Sequence, residues 1–446
     1  MSTRDTTRTP RPAAPREVRL ASTAVFVVFL LAGWNFASWA SRLPAVRDAL
    51  GLTPDRMGLL LLVGSFGSLL ALPLSGIVVE RLGARRTVLG FGLLNGLGYA
   101  VGCVGVATGE VVVVGVGLVL AGVGTGVWDA SMNLEGAVVE QRLGRTVMPR
   151  YHAGFSVGTM AAAGAAALVA GLHVPVEVHL PVAVALSGVV LAVAVRAFLA
   201  EPAGGVHGAT GTEPAAGAVA DPATSAPAPT GARAAVGAWL EPRTLLVGLV
   251  VLAAALTEGA ANDWVSLAVV DGFDTGHAVG ALGFGLFVTA MTAMRLLGTR
   301  LLDRYGRVAV LRLCAALAFV GLLVFGLAGS LWVALLGVVA WGAGAALGFP
   351  VGMSAASDDP RRAAQRVAVV STIGYSAFLA GPPLLGLLAE HVGYRQALLA
   401  ILVPVVLGLL VTSAARPLGQ ATTATAGEPG PEPAPAAPQG APRDVA

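Results

Sequence analysis

The chain is written in apolar blocks of about twenty residues separated by short polar turns. Blocks near 21–41, 57–79, 87–107, 111–135, 151–172 and 180–200 form a first set. A second set follows near 244–266, 279–299, 308–328, 330–353, 366–389 and 396–415. About twenty residues of helix rise roughly 30 Å, the thickness of a bilayer's hydrocarbon core. Within each block the apolar residues cover every face, without the alternation of barrel strands. No water in that layer satisfies an exposed amide, so the blocks must close their hydrogen bonds internally, as helices do. The pattern predicts an all-α membrane protein of 12 transmembrane helices arranged as two six-helix, pseudo-symmetric bundles.

Composition agrees. Hydrophobic residues make up 56% of the 446 and charged ones only 12%, with a mean hydropathy of +0.78. A water-facing surface needs about twice that share of charge. The sequence divides into a cytoplasmic tail (1–20), a first bundle (21–200), a flexible linker (201–243), a second bundle (244–415) and a disordered tail (416–446). Linker and tail are rich in Ala, Gly and Pro, and bury too little apolar surface to offset their ordering entropy. The first block is too long for a signal sequence and lacks a convincing cleavage site, so it is read as a spanning helix.

Charge gives orientation. All 28 basic residues are Arg, and only Arg42, Arg47, Arg56 and Arg395 fall in outer loops. The remaining arginines are assigned inward, which puts both termini in the cytoplasm of a cell-membrane protein. The net charge of +3 therefore reflects topology and implies no nucleic-acid partner. Cys103 and Cys314 lie in helices of different halves and read as buried apolar thiols, with no metal site. No phosphate-binding glycine loop and no Ser/His/Asp set occurs, which argues against ATP drive and against an enzyme. No cofactor is expected, and the protein is expected to act as a monomer among lipids.

The two halves repeat at an offset near 223 residues. Gly76, Glu80, Arg81, Gly83, Arg85 and Arg86 punctuate the turn between spans two and three. Thr299, Asp303, Arg304, Gly306 and Arg307 recur between spans eight and nine. Tyr151 to Gly158 likewise parallels Gly374 to Gly381. Both loops resemble the signature Gly-x-x-x-Asp-Arg-x-Gly-Arg-Arg of the major facilitator superfamily, with Glu80, Ala84 and Thr299 as departures. A carboxylate beside several arginines at a helix end can clamp neighbouring helices.

A narrower resemblance is to the fucose-permease-like sugar:proton symporters and their substrate-unassigned bacterial relatives. Arg42-Leu-Pro44-Ala-Val-Arg47-Asp-Ala-Leu50 and Gly126-Val-Trp128-Asp129-Ala-Ser-Met-Asn133 carry it. The resemblance gives Asp129 the place of a proton-coupling acid, while the family's other coupling acid falls at Ala40.

Polar groups at membrane depth are expensive and therefore candidates for function. Asp129, Glu258 and His152 are candidates for proton coupling. Asn35, Trp34, Trp128, Asn133, Asn262, Asp263, Trp264 and Tyr375 are candidates for binding a small-molecule substrate. Asp129 and Asn133, four apart, share a helix face. Asn35 and Glu258 correspond by repeat and are expected to address one solute across a central cavity. A pairing of His152 with Asp129 is expected from the turn joining spans four and five. Glu135 reads as a solvated helix end, and Gly381-Pro382-Pro383 as a kink or break. The expected function is secondary active transport of a small, sugar-like solute by alternating access with proton coupling. The alternative is proton-driven export of drug-like or natural-product molecules.

Overall fold

The computed structural model describes residues 15–199, 237–359 and 362–418. Most of the expected linker, the N-terminal tail and nearly all of the C-terminal tail lie outside the described residues. Among the described residues every regular element is helical. The first half comprises α1 (Arg16–Ala40), α2 (Leu43–Leu50), α3 (Pro54–Leu82), α4 (Ala84–Thr108), α5 (Val111–Leu143), α6 (Met148–Gly171) and α7 (Val176–Ala194). The second comprises α8 (Pro242–Phe273), α9 (His277–Leu327), α10 (Leu331–Ala345), α11 (Gly348–Ala356), α12 (Ala363–Val392), α13 (Tyr394–Leu398) and α14 (Leu402–Val411). Among the described residues, eleven helical stretches are long and apolar enough to cross a membrane.

One of the eleven is α9, whose 51 residues would reach ~76 Å as a straight helix, far beyond one hydrocarbon layer. It is interrupted at Gly306, whose backbone (φ 76°, ψ 165°) is not helical. Gly83, 223 residues earlier, ends α3 with φ 78° and ψ 155°. An L side chain is disfavoured at such a φ, so the repeated glycine permits the same tight reversal in both halves. The sequence repeat is thus a repeat of backbone conformation.

Several boundaries differ from the sequence reading. Helix α1 starts at Arg16 rather than 21, because the helix runs beyond the apolar block. Helix α5 continues past 135 to Leu143, and buries Glu135. The block at 330–353 is split between α10 and α11 at Ala346–Leu347. Of the kink or break expected at Gly381-Pro382-Pro383, the break does not occur: α12 runs through both prolines. A missing amide is tolerated in a packed spanning helix whose neighbours compensate. Here α3 closes on that segment, since a Cβ on Gly58 would lie 2.5 Å from the Pro382 carbonyl oxygen.

Small residues set the closest packing. In α4 a Cβ at Gly98 would collide with the Ala121 nitrogen of α5. At the repeat-related Gly321 it would collide with the Trp341 nitrogen of α10. Backbones this close gain dispersion and weak polar contacts that association within lipid requires. On the outside, Leu59, Phe66, Leu70, Leu74 and Ile77 of α3 are exposed at helical spacing, as are Val178, Val182, Leu186, Val189 and Val193 of α7. Such continuous apolar stripes suit hydrocarbon rather than water. The halves meet mainly where α3 packs on α12 and α6 on α9.

Candidate functional site

At the end opposite the termini the halves are tied directly. Arg47, on the short α2, donates from Nη1 to Asp271 of α8 at 2.8 Å. It is held in place by its neighbour Asp48 at 2.7 Å and lies 5.6 Å from the ring centre of Tyr394. Asp48 in turn meets Nε2 of His277 at 2.8 Å. One turn inward, Ser266 Oγ donates to the Ala40 carbonyl at 3.4 Å. Ala40 is buried in this seam.

Among the described residues, the ion pairs that Glu241 and Asp358 make at the termini end lie within the second half. Asp358 receives Arg243 at 2.8 Å and Arg307 at 2.5 Å. Glu241, just before α8, receives Arg366 at 2.6 Å and Arg362 at 2.7 Å. Hydrogen bonding from Arg366, then Arg362 and Thr244, holds the Glu241 carboxyl at about 2, well below its ordinary value. The clamp on Arg307 is therefore made by Asp358 rather than by Asp303 of its own loop, which is exposed. Arg304 lies over the neighbouring Tyr305 ring. In the first copy, Glu80, Arg81, Arg85 and Arg86 are all exposed, and a Cβ at Gly76 would meet nothing within 4 Å.

Between the two ends lies a band of polar side chains. On α5, Asp129 is exposed, and Asn133 Nδ2 donates to its backbone carbonyl at 2.9 Å and approaches its carboxylate at 3.4 Å. Asp129 lies within electrostatic reach of Tyr375 on α12, in the other half. On α8, Glu258 accepts from Arg295 Nη2 of α9 at 2.9 Å. Arg295 also donates from Nε to the Ala346 carbonyl at 3.1 Å. That carbonyl is free because α10 ends there, and a helix C-terminus leaves its last carbonyls unpaired. His152 of α6 faces Arg295 electrostatically from the first half, with its ring edge-on to Phe29 at 5.1 Å. The arrangement offers carboxylates, a guanidinium, an imidazole, an amide and a phenol from both halves.

Other expected residues sit elsewhere. No hydrogen bond or ion pair joins His152 to Asp129 among the described residues. Asn35 is 2% exposed and donates to Asn95 Oδ1 at 2.9 Å, so it does not face Glu258 across an open cavity. Asn95 passes the chain on to Thr125 at 2.9 Å. Trp128 is buried beside Gly92, and Trp264 is buried against Tyr394 with ring centres 5.5 Å apart. Trp34 donates to the Ala183 carbonyl at 3.3 Å, pinning α1 to α7. Trp128 and Trp264 are thus packed between helices and present no open face, while Trp34 is half-buried. Glu135, expected to be solvated, is buried and accepts from the Leu199 amide at 3.0 Å. Asn262 and Asp263 are half-buried above Glu258. Sequence reading passed over Arg295, although a charge inside the block at 279–299 was itself the signal.

Comparison with known proteins places this geometry. The profile of the Major Facilitator Superfamily matches residues 25–375 and 249–444. The uncharacterized transporter y4wD of Sinorhizobium fredii is 31% identical over 391 residues, covering 84% of this chain and 96% of that protein. Membrane protein MosC of Rhizobium meliloti is 27% identical over 400 residues, covering 89% of each. Among solved structures, the nucleoside transporter NupG superposes with a TM-score of 0.67 at 14% identity, over 90% of this chain and 99% of that one. A point variant of the E. coli fucose:proton symporter FucP does so with a TM-score of 0.58 at 13% identity, over 90% and 99%. At such identities the structural likeness concerns the fold.

Proposed function

Because the chain belongs to the major facilitator superfamily, and is thus a multi-pass membrane transporter rather than an enzyme, we propose that it moves a small polar, sugar-like solute by proton-coupled alternating access. In this reading the 51-residue α9 counts as two crossings, which makes twelve in two six-helix bundles, 21–200 and 244–415. Both termini lie in the cytoplasm of the cell membrane, as the arginine distribution favours. The conformation is inward-facing, with Arg47, Asp48, Asp271 and His277 as the closed outer gate.

The observation that carries the reading is Asp129. It is an accessible carboxylate midway along a membrane-crossing helix, beside Asn133, and within electrostatic reach of Tyr375 in the opposite half. A carboxylate so placed can take up a proton in one conformation and release it in another. The polar groups contributed by α5, α6, α8, α9 and α12 favour a hydroxylated solute over an apolar drug. Asp129→Asn should abolish proton-driven accumulation in proteoliposomes while leaving solute counterflow intact. Uptake with unchanged pH dependence would overturn the assignment.

A further inference from the structure

Among the described residues, Arg295 and Glu258 form the one ion pair within the polar band, and its construction bears on the chemistry of the solute. The guanidinium is oriented by the Ala346 carbonyl at the break between α10 and α11, independently of Glu258. One turn further along α9, Gly298 lets the helix approach that break closely, with Leu347 2.6 Å from where a Cβ would stand. Arg295 is therefore held in position by backbone, and Glu258 fills only one of its donors. Nor is the pair sealed: the side chains of Arg295 and Glu258 are 35% and 21% exposed. A purely architectural bridge at membrane depth would gain from exclusion of water, whereas this one stays reachable. Across the seam, the imidazole of His152 on α6 lies within electrostatic reach of Arg295.

We propose that Arg295 anchors the solute and that the solute carries a carboxylate, as in a sugar acid, which competes with Glu258 for the guanidinium. The proposal rests on the transporter reading above and narrows its substrate class. Glu258 is then an internal stand-in for the ligand's own carboxylate. Arg is suited to the task because its planar fork binds carboxylates with charge-assisted, directional hydrogen bonds. In the proposal, Asn133 and Tyr375, both beside Asp129, and Asn262, one helical turn from Glu258, serve the hydroxyl groups of such a solute. When the solute leaves, Glu258 recaptures Arg295 and spares the membrane interior an unpaired charge.

The competition predicts opposite signs for two substitutions on one ion pair. Binding of D-galacturonate and D-galactose is measured on the purified full-length protein by calorimetry, for wild type, Glu258→Gln, Arg295→Gln and Arg295→Lys. The acid is expected to bind wild type more tightly than the neutral sugar. Glu258→Gln should tighten galacturonate about tenfold, and Arg295→Gln should weaken it about thirtyfold, each with little effect on galactose. Arg295→Lys should retain part of the preference for the acid. If Arg295→Gln does not fold, the tightening in Glu258→Gln decides the matter. Equal binding of acid and neutral sugar, absence of galacturonate binding, or weaker binding of it by Glu258→Gln would each overturn the proposal. The Asp129→Asn flux experiment reports on proton coupling separately, so either reading can fail without the other.

Discussion

The two ends of the molecule are charged in the same style but wired differently. At the end opposite the termini, Arg47 and Asp48 of the first half bond to Asp271 and His277 of the second, across more than 220 residues of chain. At the termini end, Glu241 and Asp358 collect Arg243, Arg307, Arg362 and Arg366, all from the second half. Breaking the first set removes a tie between the halves; breaking the second removes ties inside one half. Charge alone therefore does not make a gate. What matters is whether the partners belong to parts that move relative to one another.

The largest effect should follow removal of the crossing tie. Arg47→Ala deletes the contacts to Asp271 and Asp48 and the packing on Tyr394. Charge-assisted bonds of this kind contribute about 2 kcal/mol, so the ratio of closed to open outer ends should fall roughly thirtyfold. Spin labels on the outer ends of α3 and α12 would register this as a longer distance distribution, and an unchanged distribution would dissolve the distinction between the ends.

A smaller effect is expected at the termini end, where Glu241 makes stability depend on pH. Its carboxyl titrates at about 2 when folded, against an ordinary 4.5. The stabilisation is fully present above the ordinary value and is lost as pH falls toward 2. Thermal unfolding in detergent should therefore be level from neutrality to about pH 5 and decline below it. Glu241→Gln should flatten part of that decline while leaving the outer distances alone. A steepened acid limb in the variant would reverse the sign of the argument.

The smallest effect belongs to the feature both halves share. Gly83→Ala and Gly306→Ala each force a side chain into a positive φ, at a cost of about 1 kcal/mol. Equal losses of thermal stability are expected from the two. A large difference would mean that the loops, alike in backbone, are unlike in load.

Much of the frame was legible before any coordinates. The apolar blocks marked most helices, though α5 and α8 run well past the ends of theirs, and the 223-residue offset anticipated the paired turns at Gly83 and Gly306. The site was less legible, for a physical reason. Burial depends on neighbours that sequence spacing does not reveal, so Trp128, Trp264 and Asn35 looked available and are packed within the first or second half. Asn95 and Arg295, polar residues inside predicted spans, were open to the same argument from membrane cost that singled out Asp129. The crossing tie could not be read at all: Arg47 and Asp48 lay in a distinctive block, but nothing local connects them to Asp271 and His277.

The proposed function requires a solute-accessible band that opens toward the termini face and is closed toward the other. Cys103 and Cys314 are buried, which leaves a quiet background for an introduced thiol. Asn133→Cys should be labelled by a membrane-impermeant thiol reagent in inverted vesicles, and should be protected in right-side-out vesicles. Labelling from the outer face alone, or from neither face, would contradict the account.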